Sequence, residues 1–372
     1  MRVLQINSAR TFGGGERHLA DLARGLQGRG HEVLAALRES SPLREPLSFL
    51  PAQNVYAVRL RNALDIGGAR KLARIARERK VDLIHAHVAR DYAPAAFAAR
   101  FAPGTRLVIT RHVLFPMSNT HRLTLSNVSR VIAVSEPVAR ALRSQSIFDE
   151  ARIRVIENGV DLARFERARA EAEAETPGRP FRVGIVGELS VVKGQEEFVR
   201  AAALIRNDFG GRVEFLIAGE DNRGGEYRAR VERLVSELNL ANNVRLLGRV
   251  EDAWGLFVKL DVLVSASHSE AFGLAMAEAL ACGVPIVATA TGGARSLIED
   301  GVNGLLVPRG DVRAIAAAVA SLLSDDELRR ALGAQARRVA GERFDPERMV
   351  EATERVYEEA LGLSNTGQYH PR

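Results

Sequence analysis

"DVLVSASHSEAFGLAMAEALACGVPIVATAT", residues 261–291, predicts a buried strand, then a helix, then a second buried strand. The predicted helix, about residues 271–282, is apolar on every side, which is typical of a helix enclosed by other elements. Two strands joined through a helix run parallel, and parallel sheets carry helices on both faces. The stretch therefore predicts an α/β fold built on a parallel sheet.

The same alternation of strand and helix extends along the chain on both sides of this stretch. In the first half we predict strands at RVLQIN, HEVLAAL, NVYAVRL, VDLIHAH, RLVITRH, RVIAVS and RIRVIEN. In the second half we predict them at RVGIVG, VEFLIAGE, NVRLLGR, DVLVSAS, PIVATAT and NGLLVP. Strands separated by helices in both halves predict two Rossmann-like domains, which we expect to face each other across a cleft.

The predicted domain boundaries follow from a change of composition in the middle of the chain. Residues 166–180 are charged, rich in alanine and contain Pro-Gly and a final Pro, which is typical of a linker. Residues 1–165, with a C-terminal helix of about residues 350–372, form the predicted N-terminal Rossmann-like domain. Residues 180–349 form the predicted C-terminal Rossmann-like domain. The polar tail SNTGQYHPR is predicted to be disordered.

The composition is typical of a soluble globular protein. Of the 372 residues 46% are apolar and 26% are charged, and no apolar run approaches the ~18 residues of a membrane span. The first residues do not predict a secretory signal peptide. Cys282 is the one cysteine, so no internal disulfide is possible and a reducing compartment is expected. We therefore expect a cytoplasmic protein.

The positive charge is concentrated in the first half of the chain. Residues 1–165 hold 26 Lys and Arg against 14 Asp and Glu, a net charge of +12, whereas the remainder carries −6. Such a basic half suggests an anionic partner, for which membrane phospholipid, a phosphorylated substrate and nucleic acid are the candidates. We predict that the segment GGARKLARIARERK, residues 67–80, docks on an anionic membrane, with Leu72, Ile75 and Ala76 as apolar contacts. An ordinary arginine-rich, solvated surface is the alternative.

Two glutamates, Glu270 and Glu278, accompany the apolar helix. Eight helical residues turn by about 80° net and rise about 12 Å, so the two carboxylates face roughly one direction. An extended ligand along the helix would explain both, with phosphates at the helix N-terminus formed by Phe272, Gly273 and Leu274. The alternative is a structural Glu278 that captures a buried arginine or backbone N–H group.

Glycines and a lysine also lie in loops after predicted strands, where ligands of parallel sheets bind. Gly14 and Gly15 precede a helix N-terminus that can meet an anion, although a tight turn would explain them equally well. Lys193 follows a strand and can offer a point charge to a phosphate. A solvated lysine is the alternative for Lys193.

Three histidines lie on predicted strands of the first half. Alternation places His85 and His87 on one face of a strand, with His87 at its carboxyl end, and His112 ends the next predicted strand beside Arg111. A core role suits His85 and a functional role suits His87. The two strand-end histidines, His87 and His112, do not predict a metal site, since no carboxylate or third histidine is spaced in the sequence to complete one with them.

EAFGLAMAEAL resembles the E-x7-E motif of retaining glycosyltransferases with the two-domain GT-B fold, in family four. The similarity continues through GGGERHLADLARGL, DLIHAHVAR, VIAVSEPVARAL, VIENGVDLARF, LLGRVED and GVPIVATATGGARSLIEDGVNGLLV. The family binds a nucleotide-diphosphate sugar as its substrate, mainly on the C-terminal domain, and the resemblance implies no further cofactor.

The resemblance implies a role for each matching residue. Glu278 would hydrogen-bond the ribose, Glu270 would hold the donor sugar and Lys193 would pair with the diphosphate. His87 would face the donor sugar from the other domain. The further donor-binding positions are Gly14 and Gly15 over the diphosphate, Glu188, and the backbone near Arg249 and Val250 at the base. We expect Arg111 and His112 on the acceptor side.

Two positions depart from the family pattern. Glu188 occupies a place in GELSVVKG where the family commonly has an arginine, and GGARS has Arg295 and Ser296 where the family often has GG-x-P-E. A carboxylate about 4 Å from a diphosphate charge would cost about 4 kcal/mol per charge pair at an effective dielectric near 20. We therefore predict that Glu188 points away from the phosphates and pairs with an arginine.

The sequence thus predicts retaining transfer of a sugar from a nucleotide-diphosphate sugar to a hydroxyl of a glycan or lipid-linked acceptor, in cell-envelope synthesis. No D-x-D pair is positioned to hold a diphosphate metal, so a metal-independent reaction is expected. A nucleotide-sugar 2-epimerase and a non-catalytic nucleotide-sugar-binding partner are the alternatives. A nucleic-acid binder is not expected, because the basic half lacks aromatic stacking platforms.

Overall fold

A computed structural model describes residues 1–62, 65–171, 178–222, 224–250 and 253–363. The chain divides into two compact units. Unit 1 is Met1–Gly159 with Pro346–Arg372, and unit 2 is Val160–Asp345. Each unit is a parallel sheet with helices between its strands, so the predicted pair of Rossmann-like α/β domains is confirmed. The predicted tail, residues 364–372, lies outside the described residues.

Unit 1 contains a seven-stranded sheet in the order β3-β2-β1-β4-β5-β6-β7. The elements are β1 (Arg2–Asn7), α1 (Gly14–Gly28), β2 (Glu32–Leu37), β3 (Val55–Ala57), α2 (Ile66–Glu78), β4 (Leu83–Ala86), α3 (Ala89–Arg100), β5 (Arg106–Arg111), α4 (His121–Thr124), β6 (Val128–Ala133), α5 (Glu136–Gln145) and β7 (Ile153–Val155). The central strands are almost wholly buried because helices cover both faces. The register pairs Ile6 of β1 with Ala86 of β4, which brings the loops after these strands together.

Unit 2 contains a six-stranded sheet in the order β10-β9-β8-β11-β12-β13. The elements are α6 (Leu162–Glu171), β8 (Phe181–Val186), α7 (Gln195–Phe209), β9 (Val213–Ala218), α8 (Glu226–Glu237), β10 (Val244–Gly248), α9 (Ala253–Phe257), β11 (Val262–Ser265), α10 (Leu274–Ala281), β12 (Ile286–Thr289), α11 (Gly292–Leu297), β13 (Leu305–Val307), α12 (Val312–Ser324) and α13 (Asp326–Arg343). The order of the strands reverses between the adjacent strands β8 and β11. Ligands of open parallel sheets bind at such a switch point, beyond the carboxyl ends of the strands.

The last helix, α14 (Pro346–Leu361), belongs to unit 1 although it follows unit 2 in the chain. Val350 and Tyr357 are buried, and a Cβ at Gly25 of α1 would lie 2.4 Å from a Val350 methyl carbon. The carboxylate of Glu354 pairs with Arg29 at 2.6 Å and with His31 at 2.7 Å. Apolar packing, the Arg29–Glu354 ion pair and the hydrogen bond between Glu354 and the His31 ring therefore fix α14 on unit 1.

The segment expected to link the domains is partly helical. Helix α6 continues to Glu171, and residues 172–177 lie outside the described residues. Phe165 and Ala168 are buried, and the Arg337 guanidinium lies 4.9 Å from the centre of the Phe165 ring. Two buried side chains three residues apart give this segment a helical packing face, which explains why the structure departs from the predicted linker here.

Helix α2 buries its apolar side and packs against α3. Leu72, Ile75 and Ala76 are buried, so the prediction that they contact a membrane is wrong. The exposed side of the helix carries four basic residues, which are Arg70, Lys71, Arg74 and Arg77. One acidic residue, Glu78, lies at its end. Among the described residues, no helix combines the length and the hydropathy that crossing a membrane requires.

Candidate functional site

Helix α10 begins later than predicted. Gly273, with φ +97°, is the N-cap, and the helix starts at Leu274, so Phe272 and Gly273 precede it. Phe272 is buried and its ring meets Phe344 edge-on, with ring centroids 5.8 Å apart. The φ of Gly273 lies in a region that side-chain-bearing residues rarely adopt, which is why this left-handed turn favours glycine. The N–H groups of the helix start therefore belong to Leu274 and the residues after it.

Glu278 is buried in the middle of α10. Its exposed fraction is 5%, and its neighbours Ala277 and Ala279 are fully buried. This burial is what the apolar surroundings in the sequence predict. Its contact with a ribose stays a prediction.

Glu270 and Lys193 form an ion pair. Lys193 Nζ lies 2.6 Å from Glu270 Oε2, and the hydroxyl of Ser267 donates to the same oxygen at 3.4 Å. The exposed fractions of the two side chains are 30% for Lys193 and 13% for Glu270. Because Lys193 lies in the loop after β8 and Glu270 in the loop after β11, the adjacency of these strands brings together two residues 77 positions apart. The sequence did not predict this contact.

The loop that carries Glu270 is fixed by close backbone packing against α11. Gly293 N–H donates to the carbonyl oxygen of Glu270 at 2.9 Å. A Cβ at Gly293 would lie 2.7 Å from that oxygen and 2.9 Å from the carbonyl oxygen of Phe272. Ser296, one of the two departures from the family pattern, donates its hydroxyl to the Gly293 carbonyl at 2.7 Å, whereas Arg295 is exposed. Glycine at 293 therefore permits the approach that positions Glu270.

Backbone hydrogen bonds of glycines join the carboxyl ends of three neighbouring strands of unit 2, which are β8, β9 and β10. Gly187 N–H donates to Ala218 O at 2.9 Å, and Gly219 N–H donates to Gly248 O at 2.8 Å. A Cβ at Gly219, where φ is +145°, would lie 1.8 Å from the carbonyl oxygen of Gly187. Arg249, which is exposed, and Val250, which is half-buried, follow directly after β10. The predicted base-binding backbone thus lies at the carboxyl edge of the sheet.

The surroundings of Glu188 differ from those predicted. Its side chain is exposed, and within the described part of the chain it has no ion pair, so that prediction is wrong. Its backbone carbonyl accepts a hydrogen bond of 3.0 Å from the side chain of Gln195, which is fully buried. An exposed carboxylate is solvated by water and needs no arginine.

The histidines of unit 1 have different surroundings. His85 is fully buried and bonds Tyr357 Oη at 2.6 Å and Thr110 Oγ1 at 2.7 Å, which supports the core role expected for it. His87 Nε2 lies 2.7 Å from Gln5 Oε1. Burial lowers the pKa of both rings well below their ordinary value, and the neighbouring imidazoles lower it further. Both histidines are therefore neutral near pH 7.

The expected acceptor side lies at the end of β5. Arg111 is buried and donates to the carbonyl oxygen of Phe115, while His112 is half-buried. Gly14 is the first residue of α1, and a Cβ at Gly15 would lie 3.6 Å from carbon atoms of the His112 ring. The structure therefore brings together the predicted residues Gly15 and His112, which come from two separate loops of unit 1.

His18 is a further residue of this region, and the sequence analysis missed it. It lies on the buried side of α1, and its ring centroid is 5.0 Å from that of His112 and 5.8 Å from that of His87. Burial lowers its pKa to about 4. The signal in the sequence was a histidine on the apolar stripe of α1, with Leu19 and Leu22 as neighbours. Spacing along the chain does not reveal that α1 returns to the ends of β4 and β5.

Two family models match consecutive parts of the chain, one covering most of unit 1 and the other most of unit 2. Glycosyltransferase Family 4 matches residues 12–164, and Glycosyl transferases group 1 matches residues 166–339. The D-inositol 3-phosphate glycosyltransferase of Salinispora arenicola (strain CNS-205) is 31% identical over 311 residues, which are 75% of this chain and 69% of that protein. The N-acetyl-alpha-D-glucosaminyl L-malate synthase of Bacillus anthracis is 28% identical over 329 residues, which are 85% and 84%.

Relatives differ in how much of their length the chain matches. A second D-inositol 3-phosphate glycosyltransferase, of Corynebacterium jeikeium (strain K411), is 35% identical over 230 residues, and the match spans 54% of that protein. Among solved structures, Anabaena Alr3699/HepE in complex with UDP-glucose has a TM-score of 0.82 and 25% identity, over 98% of this chain and 100% of that one. With both family models, the fold and these relatives in agreement, the chain belongs to the GT-B glycosyltransferases of the family-four type.

Proposed function

We propose that the protein transfers a sugar from UDP-sugar to a hydroxyl acceptor, with retention of configuration and without a metal ion on the diphosphate. The observation that carries the proposal is the Lys193–Glu270 pair beside the start of α10, with Glu278 buried further along the same helix. Anabaena Alr3699/HepE, similar in fold and 25% identical, was solved with UDP-glucose, which supports uridine as the base and glucose as the sugar to test first.

In this proposal the diphosphate is stabilised by cations and dipoles of the protein. The start of α10 offers backbone N–H groups and the positive end of the helix dipole, and Lys193 Nζ is a compact positive charge. Charge develops on the leaving phosphate as the glycosidic bond breaks, and preorganised donors stabilise it at that moment. Lys193 then exchanges part of its contact with Glu270 for contact with the phosphate.

We assign Glu270 to positioning the donor sugar. A carboxylate that accepts from Lys193 and Ser267 is held in place, with its second oxygen available to sugar hydroxyls. Retention then proceeds by departure and attack on one face of the sugar, and the leaving phosphate removes the proton from the acceptor hydroxyl. No enzyme nucleophile takes part in this scheme.

We propose that the acceptor is anionic and that the basic N-terminal half binds it. The related enzymes are named for inositol 3-phosphate and for L-malate, both of which are anions that bear hydroxyl groups. Residues 1–165 carry a net charge of +12. A lipid-linked glycan precursor of the cell envelope has the same features. Incubation of each acceptor class with UDP-glucose, followed by mass spectrometry of the product, distinguishes them, and NMR of the new anomeric centre tests retention.

The rival epimerase activity has a direct test. A 2-epimerase converts UDP-N-acetylglucosamine with no acceptor present, whereas a transferase needs one. Chromatography of the sugar nucleotides after incubation separates the two. Conversion of UDP-N-acetylglucosamine to the 2-epimer without acceptor would refute sugar transfer. If the protein binds the nucleotide but shows neither epimerase nor transferase activity, a non-catalytic partner becomes the better interpretation.

Glu278→Gln is expected to weaken UDP binding by about tenfold or more. The substitution keeps the size of the side chain but removes the charge from an acceptor of ribose hydroxyls, and hydrogen bonds to charged groups contribute about 1.5–3 kcal/mol each. Calorimetry with UDP measures the change. Glu327→Gln, an exposed position of α13, is the matched control and should bind UDP like the wild type. Unchanged UDP affinity with a large fall in melting temperature would mean that Glu278 is only structural.

We also propose that α2 docks on anionic membranes through charge alone. Arg70, Lys71, Arg74 and Arg77 are exposed, and each basic residue near a membrane surface contributes about 1 kcal/mol. Reversal of the three arginines to glutamate is expected to abolish sedimentation with anionic vesicles at low salt. Reversal of three exposed arginines of unit 2 should have a smaller effect; these are Arg233, Arg245 and Arg313. Equal sedimentation of the wild type with neutral and anionic vesicles would refute the proposal.

A further inference from the structure

Three imidazole rings from separate elements of unit 1 meet at the carboxyl edge of its sheet. His18 comes from α1, His87 follows β4 and His112 follows β5. One ring nitrogen of each lies within 4.8 Å of the corresponding nitrogens of the other two. In the described ranges of the chain, this is the one group of histidine, cysteine and carboxylate side chains with such a spacing.

Each of the three rings has a buried nitrogen with no hydrogen-bond partner among the described residues. These nitrogens are Nδ1 of His18, Nδ1 of His87 and Nε2 of His112. His18 and His87 are 3% and 4% exposed, so water does not readily reach them. A buried polar atom without a partner costs about 1–3 kcal/mol, and one cation between the three rings would satisfy all three nitrogens at once.

The hydrogen bonds around His87 fix which of its nitrogens carries a lone pair. Gln5 donates from its amide nitrogen to Tyr357 Oη at 3.3 Å, which leaves its amide oxygen toward His87 Nε2 at 2.7 Å. An amide oxygen only accepts, so His87 Nε2 bears the hydrogen and Nδ1 has the free lone pair. A ligating histidine normally donates its other N–H to such an oxygen, which orients the ring.

We propose that His18, His87 and His112 bind one divalent transition-metal ion of the zinc class. Zinc binds histidine nitrogens at about 2.0–2.1 Å and takes tetrahedral geometry, so small rotations of the rings would bring the nitrogens into place. Three neutral imidazoles suit zinc, copper, nickel or cobalt, whereas Mg²⁺ and Ca²⁺ prefer oxygen.

The arrangement also specifies what kind of metal site this is. Three protein ligands leave the fourth tetrahedral position for water or a substrate atom. His112 is the half-buried member and lies beside Gly15, so water or a substrate atom would enter the cluster from that side. The inference goes beyond the proposed function and is independent of it, because it rests on unit 1 alone and places no metal on the diphosphate.

Zinc titration of the chelator-treated full-length protein tests the proposal. Calorimetry and elemental analysis are expected to give one tight Zn²⁺ per chain, with no binding of Mg²⁺. His18→Ala and His112→Ala are each expected to weaken Zn²⁺ binding by about a hundredfold. His121→Ala, which removes a histidine of α4 outside the cluster, should leave the affinity unchanged. Co²⁺ in place of Zn²⁺ should give the intense visible absorption of a tetrahedral site, and the spectrum should disappear in both cluster variants.

Circular dichroism of each variant shows whether it is folded, so that lost Zn²⁺ binding can be told apart from lost structure. His112 is half-buried, so His112→Ala should fold even where removal of the buried His18 ring disturbs α1. Loss of Zn²⁺ affinity in a variant with the wild-type spectrum supports the site. Absence of binding to the wild type, or Zn²⁺ affinity that survives in folded His112→Ala, would overturn the proposal.

Discussion

Replacing Lys193 with alanine is expected to weaken UDP binding by about a hundredfold and to change uridine binding hardly at all. Lys193 Nζ provides a positive charge beside the start of α10, and a hydrogen bond between charged groups contributes about 1.5–3 kcal/mol. Uridine lacks the diphosphate, so it does not need this charge. Calorimetry with both ligands measures the difference.

The ion pair with Glu270 complicates Lys193→Ala, and a second variant resolves it. Without Lys193, the carboxylate of Glu270, 13% exposed, would repel an incoming diphosphate. The double variant Lys193→Ala/Glu270→Gln removes that repulsion, so it should recover part of the lost UDP affinity but not all of it. Full recovery would mean that Lys193 acts only by neutralising Glu270.

Two further variants serve as controls for Lys193. Lys259→Ala removes another lysine of unit 2, one that is exposed, and should leave UDP binding unchanged. Glu188→Ala should change it by less than about tenfold, or 1.4 kcal/mol, since its exposed side chain is free to turn into solvent. If Glu188→Ala instead tightens UDP binding a hundredfold, this carboxylate faces the phosphates, and a non-catalytic partner becomes the better interpretation.

Replacing Gly219 with alanine is expected to lower the free energy of unfolding of unit 2 by about 3 kcal/mol or more. A Cβ would lie 1.8 Å from the carbonyl oxygen of Gly187, and φ of +145° is a region that only glycine adopts readily. The strand ends must separate to admit the methyl group, which breaks the backbone contacts that close β8, β9 and β10. Urea denaturation followed by far-UV circular dichroism measures the loss.

Gly211→Ala is the matched control for Gly219→Ala. Gly211 also lies in unit 2, but a Cβ there would meet no atom within 4 Å and its φ is not in the left-handed region. Its effect on unfolding should be below about 1 kcal/mol. Since the protein has two units, two unfolding transitions are expected, and only the one assigned to unit 2 should move with Gly219→Ala. Equal stability of the two alanine variants would contradict the predicted clash.

Periodicity along the chain was sufficient to predict much of the fold. Runs such as RVLQIN and DVLVSAS, buried on both faces, are recognisable because strands of a parallel sheet are covered by helices on either side. The burial of Glu278 was predictable for a similar reason, since all of its helical neighbours are apolar. In both cases the information lies within one element.

Contacts between elements were harder to predict. The Lys193–Glu270 pair depends on the adjacency of β8 and β11, and the position of His18 depends on how α1 packs against β4 and β5. Neither the strand order nor the packing of a helix is encoded in local spacing. The expected partner of Glu188 was wrong for a related reason, because a repulsion argument does not reveal that the side chain is exposed.

The position of α14 has a consequence for the order in which the chain folds during synthesis. Unit 1 lacks Met349, Val350, Val356 and Tyr357 until the ribosome has passed residues 160–345, so its core stays incomplete throughout the translation of unit 2. At about 5–20 residues per second this delay lasts roughly 10–40 s. Unit 2 therefore has all of its residues synthesised before unit 1 does, although its synthesis begins later. Meanwhile the part of α1 that α14 covers, around Gly25, has no helix packed on it in the nascent N-terminal half.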